Sequence, residues 1–326
     1  MKKVERTITS NKIQDKLLIS FPLWFPLLYI LINFNFPAAT FFLFIASIFI
    51  LRETHFGSTW LFFFDRDNWK WLRENSYNLF FIPIYSLVLV FFVWTIVPSA
   101  VIIFHYLASG WHVTRQSVGI QKVYGLVSKT WISLTYFVSA ICLFIGLSKP
   151  GIIDSSILSK SNFNLILIVA LIIYFSFIYL FRNSDNSFLM TNIMTFFTGI
   201  SIFLPLLFFK NLAIGTTVGV GMHWIQYLAI MWSNYIRKSK DKSTAVGNEK
   251  YPKSLISRLS FILLYGLIMT FLTVKGMPQV SSDSNDYSTL YLIPIIFQLY
   301  HFYIDGFIWR FSDPHIKKQI GTYMFN

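Results

Sequence analysis

Apolar residues in this chain come in continuous runs rather than in alternation. The runs reach ~20 residues, the length a helix needs to cross the hydrocarbon core of a bilayer. Ten such segments can be drawn, at 17–34, 36–55, 78–96, 98–121, 130–147, 162–181, 188–208, 212–235, 256–274 and 288–309. A transmembrane barrel would show short alternating segments instead. Pro22 and Pro26 interrupt the first segment, Pro83 lies early in the third and Pro205 near the end of the seventh. Prolines of this kind are tolerated where neighbouring helices satisfy the freed carbonyls. Asn33 to Pro37 and Val97-Pro98 read as tight reversals. The pattern predicts an all-α, polytopic transmembrane helical bundle of about ten spans, with a single integral membrane domain over 1–326.

Composition agrees. The 326 residues are 55% hydrophobic and only 13% charged, where soluble domains carry roughly 25% charged residues. A net charge of +13 would point to nucleic acid in a soluble chain, but here the placement of Lys and Arg decides, and no nucleic-acid partner is expected. All of the 27 except Lys149, Lys160, Lys210 and Lys275 fall on one side of the ten segments. That bias puts both termini in the cytoplasm, as an even span count requires. The one cysteine, Cys142, sits in an apolar run, which excludes a disulfide framework and a thiolate metal site. The basic N-terminal stretch is followed by no small-residue cleavage site, so the first span is expected to stay in the bilayer. Arg66 to Arg73, with Trp69 and Trp71 interleaved, reads either as an interfacial helix or as a basic loop with belt aromatics. Arg237 to Lys253 reads as a polar, flexible loop. The expected location is the bacterial inner (plasma) membrane.

Against this background the ionisable residues inside the spans stand out, since such groups are costly, face the protein interior and mark functional sites. The tenth segment carries Gln298, His301 and Asp305, which share one helical face. The fourth carries His105, Ser109, His112 and Gln116 in one stripe, and the eighth carries His223 and Gln226. His55 ends the second. The predicted topology runs all four segments from outside to inside, so five of the six histidines can reach one polar site; His315, in the tail, reads as solvent-exposed. A lone membrane histidine also serves as an interhelical hydrogen-bonding group worth ~1 kcal/mol. At the edge of its span, His55 fits that role better, although it remains a candidate ligand, and His105 fits both. His112, His223, His301 and Asp305 read as a functional set, with Gln116, Gln226 and Gln298 orienting the imidazoles. Neutral imidazoles plus one carboxylate suit iron(II), with zinc or manganese as alternatives. Axial ligation of haem is a weaker fit. His-x-x-His-His boxes, P-loops, Gly-x-Gly-x-x-Gly patterns and nucleophile elbows are absent.

Two short elements carry a family resemblance. His55-Phe56-Gly57, and the late run of His301, Asp305, an apolar stretch and Arg310, resemble motifs of the bacterial Brp/Blh type of β-carotene 15,15′-dioxygenase. Those are all-helical membrane proteins taken to hold iron with histidines from several spans. The chain departs from the family pattern in having Ser58-Thr59-Trp60 after His-Phe-Gly, in lacking the early Pro-His-Gly element, and in a late spacing one residue shorter. The resemblance implies oxygenase chemistry on an isoprenoid or other lipid-soluble small molecule.

The leading expectation is thus a membrane metalloenzyme acting on a lipid-soluble isoprenoid, carotenoid or acyl substrate. A proton-coupled transporter or channel with a His/Asp relay is the alternative, although no internal repeat or paired broken helices support it. A structural membrane subunit comes third.

Overall fold

The computed structural model describes residues 8–9, 11–125, 128–148, 189–209, 211–246, 251–277 and 288–324. Among these the regular structure is entirely helical. The expected segment at 162–181 lies outside the described residues.

The chain enters through α1 (Lys12–Ser20), capped by the Asn11 side chain on the Ile13 N–H. It turns by 61° into α2 (Trp24–Asn35). Pro22 lies in the break, where a missing N–H costs least. Pro37 and Pro98 each sit in the first turn of a helix, where their lack of a donor is harmless. They open α3 (Pro37–Phe64) and α6 (Pro98–Val123). Between these lie the short α4 (Trp69–Glu74) and α5 (Tyr77–Ile96). The chain continues through α7 (Lys129–Leu147), α8 (Thr191–Phe208), α9 (Leu212–Val246), α10 (Tyr251–Gly276) and α11 (Thr289–Ile308).

Six helices among the described residues are long and apolar enough to cross a membrane, or seven if the bent pair α1–α2 is one span. A count of ten is therefore not confirmed among the described residues. Two helices of sufficient length, α6 at 26 residues and α9 at 35, fall short on composition. They carry His105, His112, Arg115, Gln116, His223 and Gln226, so the helices with most of the candidate chemistry are the ones that lose the membrane signature. Where helices meet lipid, apolar side chains point outward: Ile84, Leu89 and Phe92 on α5, and Leu264, Leu267 and Phe271 on α10, are all exposed. That is the expected surface of a membrane protein, because lipid tails solvate such groups as well as a core would.

The interior has a large apolar cluster joining α5 to α9 and α11, with Ile102, Val138, Cys142, Phe196 and Ile295 at its centre. Small residues let α9 approach its neighbours. A Cβ on Gly219 would stand 1.9 Å from the Ile202 carbonyl oxygen, and one on Gly221 would stand 2.2 Å from the Phe25 ring. A second cluster brings Ile8 and Ile19 against Ile230 and Met324, so the two ends of the chain share one end of the bundle.

Three sequence expectations are corrected at that end. The second segment does not stop at His55: α3 continues to Phe64, because Arg52 and Glu53 are buried partners of other helices rather than a charged span end. Arg237 to Lys253 is largely helical rather than a flexible loop, since α9 extends to Val246 and α10 begins at Tyr251. Arg237 donates to the Tyr323 carbonyl at 2.6 Å and Lys238 to Asp65 at 2.7 Å and Gln319 at 2.6 Å, which ties the α9 extension to the C-terminal segment. His315 is not free in solvent: it stacks on Trp71 with rings 5.6 Å apart and pairs with Asn68 Oδ1 at 2.9 Å. In α4, Trp71 turns inward and Trp69 outward, the amphipathic option of the two considered.

Candidate metal centre

Four helices each place one imidazole at the same point. His55 comes from α3, His112 from α6, His223 from α9 and His301 from α11. His55, His223 and His301 are 0% exposed and His112 is 8% exposed. The His55 ring lies 4.6 Å from His301, 5.0 Å from His223 and 6.5 Å from His112, centroid to centroid. His112 is 5.3 Å from His223 and 5.0 Å from His301. One ring nitrogen each from His55, His112 and His301 lies within 4.8 Å of the other two. Three ligand atoms 2.0–2.1 Å from a shared ion lie about 3.4–3.6 Å apart, so an inward shift of up to about 0.7 Å per side chain suffices.

The local backbone helps to aim these groups. Over Ile48–Glu53, directly before His55, α3 widens into a π-helical stretch, a distortion that turns the following side chains and recurs at functional sites. The wall beside His301 is built by hydroxyls. Tyr227 donates to Asp305 Oδ1 at 3.2 Å, so its oxygen accepts from Thr59 Oγ1 at 2.7 Å. Thr59 has then spent its own proton, and its oxygen accepts from His301 Nδ1–H at 2.8 Å. This one-directional chain fixes the tautomer of His301 and leaves the Nε2 lone pair free. The Asp305 carboxylate closes the loop, with Oδ2 at 3.7 Å from His301 Nε2 and 3.8 Å from His112 Nε2, and with Trp309 Nε1–H at 3.2 Å.

The decisive feature is what these imidazoles lack. Both ring nitrogens of His55 and of His223, and Nε2 of His112 and of His301, are buried without a hydrogen-bond partner. Each orphaned buried group costs about 1–3 kcal/mol, and native proteins contain few. Several converging on one point from four helices make no sense as interhelical hydrogen bonds. They fit a cation, which takes the lone pairs directly, with the Asp305 charge alongside.

The sequence candidates divide accordingly. The structure brings together His55, His112, His223, His301 and Asp305. His105 stands apart: its Nε2 meets Gln298 Oε1 at 2.6 Å, within a buried network where Arg52 also donates to Gln298 Oε1 at 2.9 Å. Arg52 lies 3.6 Å from Glu53, which accepts from Thr273 and from the Gln298 amide, both at 3.4 Å. Gln298 therefore orients His105 and not His301. Gln226 does not orient His223; its Nε2 donates to the Ile19 carbonyl at 2.6 Å. Gln116 has a buried, unpartnered amide in the wall of a cavity. Thr59, Tyr227, Trp309, Arg52 and Glu53 were not anticipated. Three of them had a signal, since Thr59, Tyr227 and Trp309 each stand four residues after His55, His223 and Asp305, on the same helical face.

Two cavities adjoin the cluster. A water-sized one of about 40 Å³, lined by His55, His223, His105, Arg52 and Gln298, joins the imidazoles to the Arg52–Glu53 network. The other, about 1050 Å³, reaches the cluster at His112 and Asp305. The sequence predicts a pocket between the fourth, eighth and tenth segments. The small cavity lies there, among α6, α9 and α11 with α3, whereas the large one is walled mainly by α5, α6 and α11 and takes only Ile230 from α9.

No protein-family model matches the chain, and no curated protein or solved structure matches it.

Proposed function

We propose that this chain is a membrane-embedded, histidine-coordinated metalloenzyme, a non-haem iron oxygenase acting on a lipid-soluble substrate in the bacterial inner membrane, with ten spans and cytoplasmic termini. The observation that carries the reading is the convergence of unpartnered buried imidazole nitrogens from four helices. His55, His112 and His301 would hold the ion, with His223 and Asp305 adjacent to it. Bound iron(II) would supply dioxygen activation, where zinc would supply an activated water.

The chain's own residues account for the rest. Thr59 and Tyr227 hold His301 and Asp305 in register. Asp305 supplies the negative charge that offsets a cation in a low-dielectric interior. His112 and Asp305, in the wall of the large cavity, are where a substrate chain would meet the site. Phe302, 4.8 Å from the His112 ring and 5.7 Å from His301, helps to exclude water there.

The test is isotopic. Protein in nanodiscs, loaded in turn with iron(II), zinc or nothing, is incubated with bacterial lipid extract under ¹⁸O₂, and the lipids are read by mass spectrometry. Label introduced only by the iron form supports the oxygenase reading. Label from H₂¹⁸O with the zinc form would replace it with a hydrolase.

One observation favours a second reading, a proton-coupled transporter. The small cavity between the imidazoles and the Arg52–Glu53–Gln298 network has room for about two or three waters, which would link two sets of titratable groups into a relay. In that case Asp305→Asn uncouples transport, and metal content is irrelevant.

A further inference from the structure

The large cavity has two chemically different ends, and their order along α6 is fixed. Phe104, Ala108 and Trp111 line it before His112; Arg115 and Lys122 line it after. Arg310, just beyond α11, joins the cationic end, while Leu87 and Val90 of α5 extend the apolar wall. At 1.5 Å per residue, Arg115 stands only ~4.5 Å further along the axis than His112, and Lys122 ~15 Å further. The metal candidates thus sit at the boundary between the two ends.

Arg115, Lys122 and Arg310 are exposed side chains, and Arg310 Nε donates to Ser312 Oγ at 3.3 Å. Among the described residues no carboxylate lies within ion-pair distance of Arg115, Lys122 or Arg310. The Gln116 amide beside them is buried and unpartnered on both its nitrogen and its oxygen. Gly306 keeps the space open: a Cβ there would have only Arg115 Nη1 near it, at 4.0 Å. A neutral hydrocarbon would leave the charge of these groups unmatched, and a small soluble anion would leave most of the 1050 Å³ unfilled. That volume is at the top of the ~300–1,000 Å³ range of pockets that enclose whole ligands.

We propose that this cavity binds a single-chain anionic amphiphile. Its carboxylate or phosphate head lies on Arg115, Arg310 and Lys122, and its chain lies along Ala108 and Val90. The carbons nearest the head then lie against His112 and Asp305. This assigns the substrate class of the proposed enzyme and rests on that reading for its chemistry, but the binding itself needs no metal.

The test uses purified full-length protein in nanodiscs, metal-free and iron(II)-loaded, with metal stoichiometry measured on the same samples. Radiolabelled oleate is the carboxylate probe, oleyl phosphate the phosphate probe, and methyl oleate the neutral control. One anionic probe should bind saturably at one site per chain, at least about tenfold more tightly than the ester. Arg115→Gln and Arg310→Gln should each weaken it by about tenfold and leave the ester unchanged. Gly306→Leu, which fills the head end and removes no charge, should abolish binding of both anions. Thermal unfolding shows whether each variant is folded. Whichever anion binds more tightly identifies the head. Equal affinity for acid and ester, or indifference to both arginine substitutions, would overturn the proposal even if metal is bound. Charge-dependent binding to a protein that never holds metal would leave it standing and sink the enzyme reading alone.

Discussion

Thr59→Val is the most informative single change. Valine keeps the shape of threonine and its preference for a restricted rotamer, and it removes only the hydroxyl. In the structure that hydroxyl accepts from His301 Nδ1 at 2.8 Å and donates to Tyr227 at 2.7 Å, so both bonds are lost together. Tyr227 keeps its bond to Asp305, and the backbone of α3 is untouched. His301 is left with a buried N–H and no acceptor, a cost of about 1–3 kcal/mol to the apo protein. Its ring is also free to take the other tautomer, which places the proton on the nitrogen that faces the cluster. Losing an orienting partner of this kind lowers metal affinity by about 10–100-fold, or about 1.4–2.7 kcal/mol. The assay is chelator competition against wild type and Thr59→Ser, which restores the hydroxyl. The expected order of affinity is wild type close to Thr59→Ser, with Thr59→Val well below both. Affinity of Thr59→Val within about twofold of wild type would show that the hydroxyl chain does not set the His301 tautomer, and the orienting role given to Thr59 and Tyr227 would be refuted.

Other changes separate the parts of the polar interior. His105→Ala should leave metal stoichiometry intact, because His105 bonds to Gln298 outside the cluster, and should cost about 0.5–3 kcal/mol in thermal stability through the lost bond and the void left beside Gln298, which Arg52 still holds. Glu53→Gln leaves the 8%-exposed Arg52 without its carboxylate and should destabilise the fold by about 3–5 kcal/mol, read as a drop in the detergent unfolding midpoint with metal still bound in the folded fraction. Gly219→Ala drives a methyl group into the Ile202 carbonyl and should cost at least about 1–3 kcal/mol; since Gly219 is one turn before His223, metal affinity should fall with it, whereas Gly119→Ala, with nothing within 4 Å of the added Cβ, should change neither.

Much of the site can be read from the chain because buried ionisable groups in apolar runs are rare and expensive. His112, His223, His301 and Asp305 stand out that way, and they do converge. Sequence alone undervalues His55 for a specific reason. Arg52 and Glu53 look like the charged end of a span, yet they form an ion pair at 3.6 Å and each hydrogen-bonds Gln298 inside the bundle, so α3 runs on and carries His55 to the centre. A spacing of three suggests Gln226 as the partner of His223, while the residue at a spacing of four, Tyr227, faces the site. The large cavity also uses α5, which hydropathy does not single out because α5 is apolar throughout. Nothing in its sequence distinguishes Leu87 and Val90, which line a cavity, from Leu89 and Phe92, which face lipid. The polarity of α6 and α9 is the converse case: the cost of the site erases the span signal of the helices that build it.

The central claim is that the imidazoles of α3, α6, α9 and α11 form a metal site, and element-resolved metal analysis tests it directly. The protein is purified in mild detergent without chelators, then reconstituted with iron(II), zinc and manganese in separate samples. The predicted result is about one ion per chain, lost in His55→Ala and in His301→Ala at matched folding, and retained in His105→Ala. Folded wild-type protein that holds no stoichiometric metal under any of these conditions would contradict the claim.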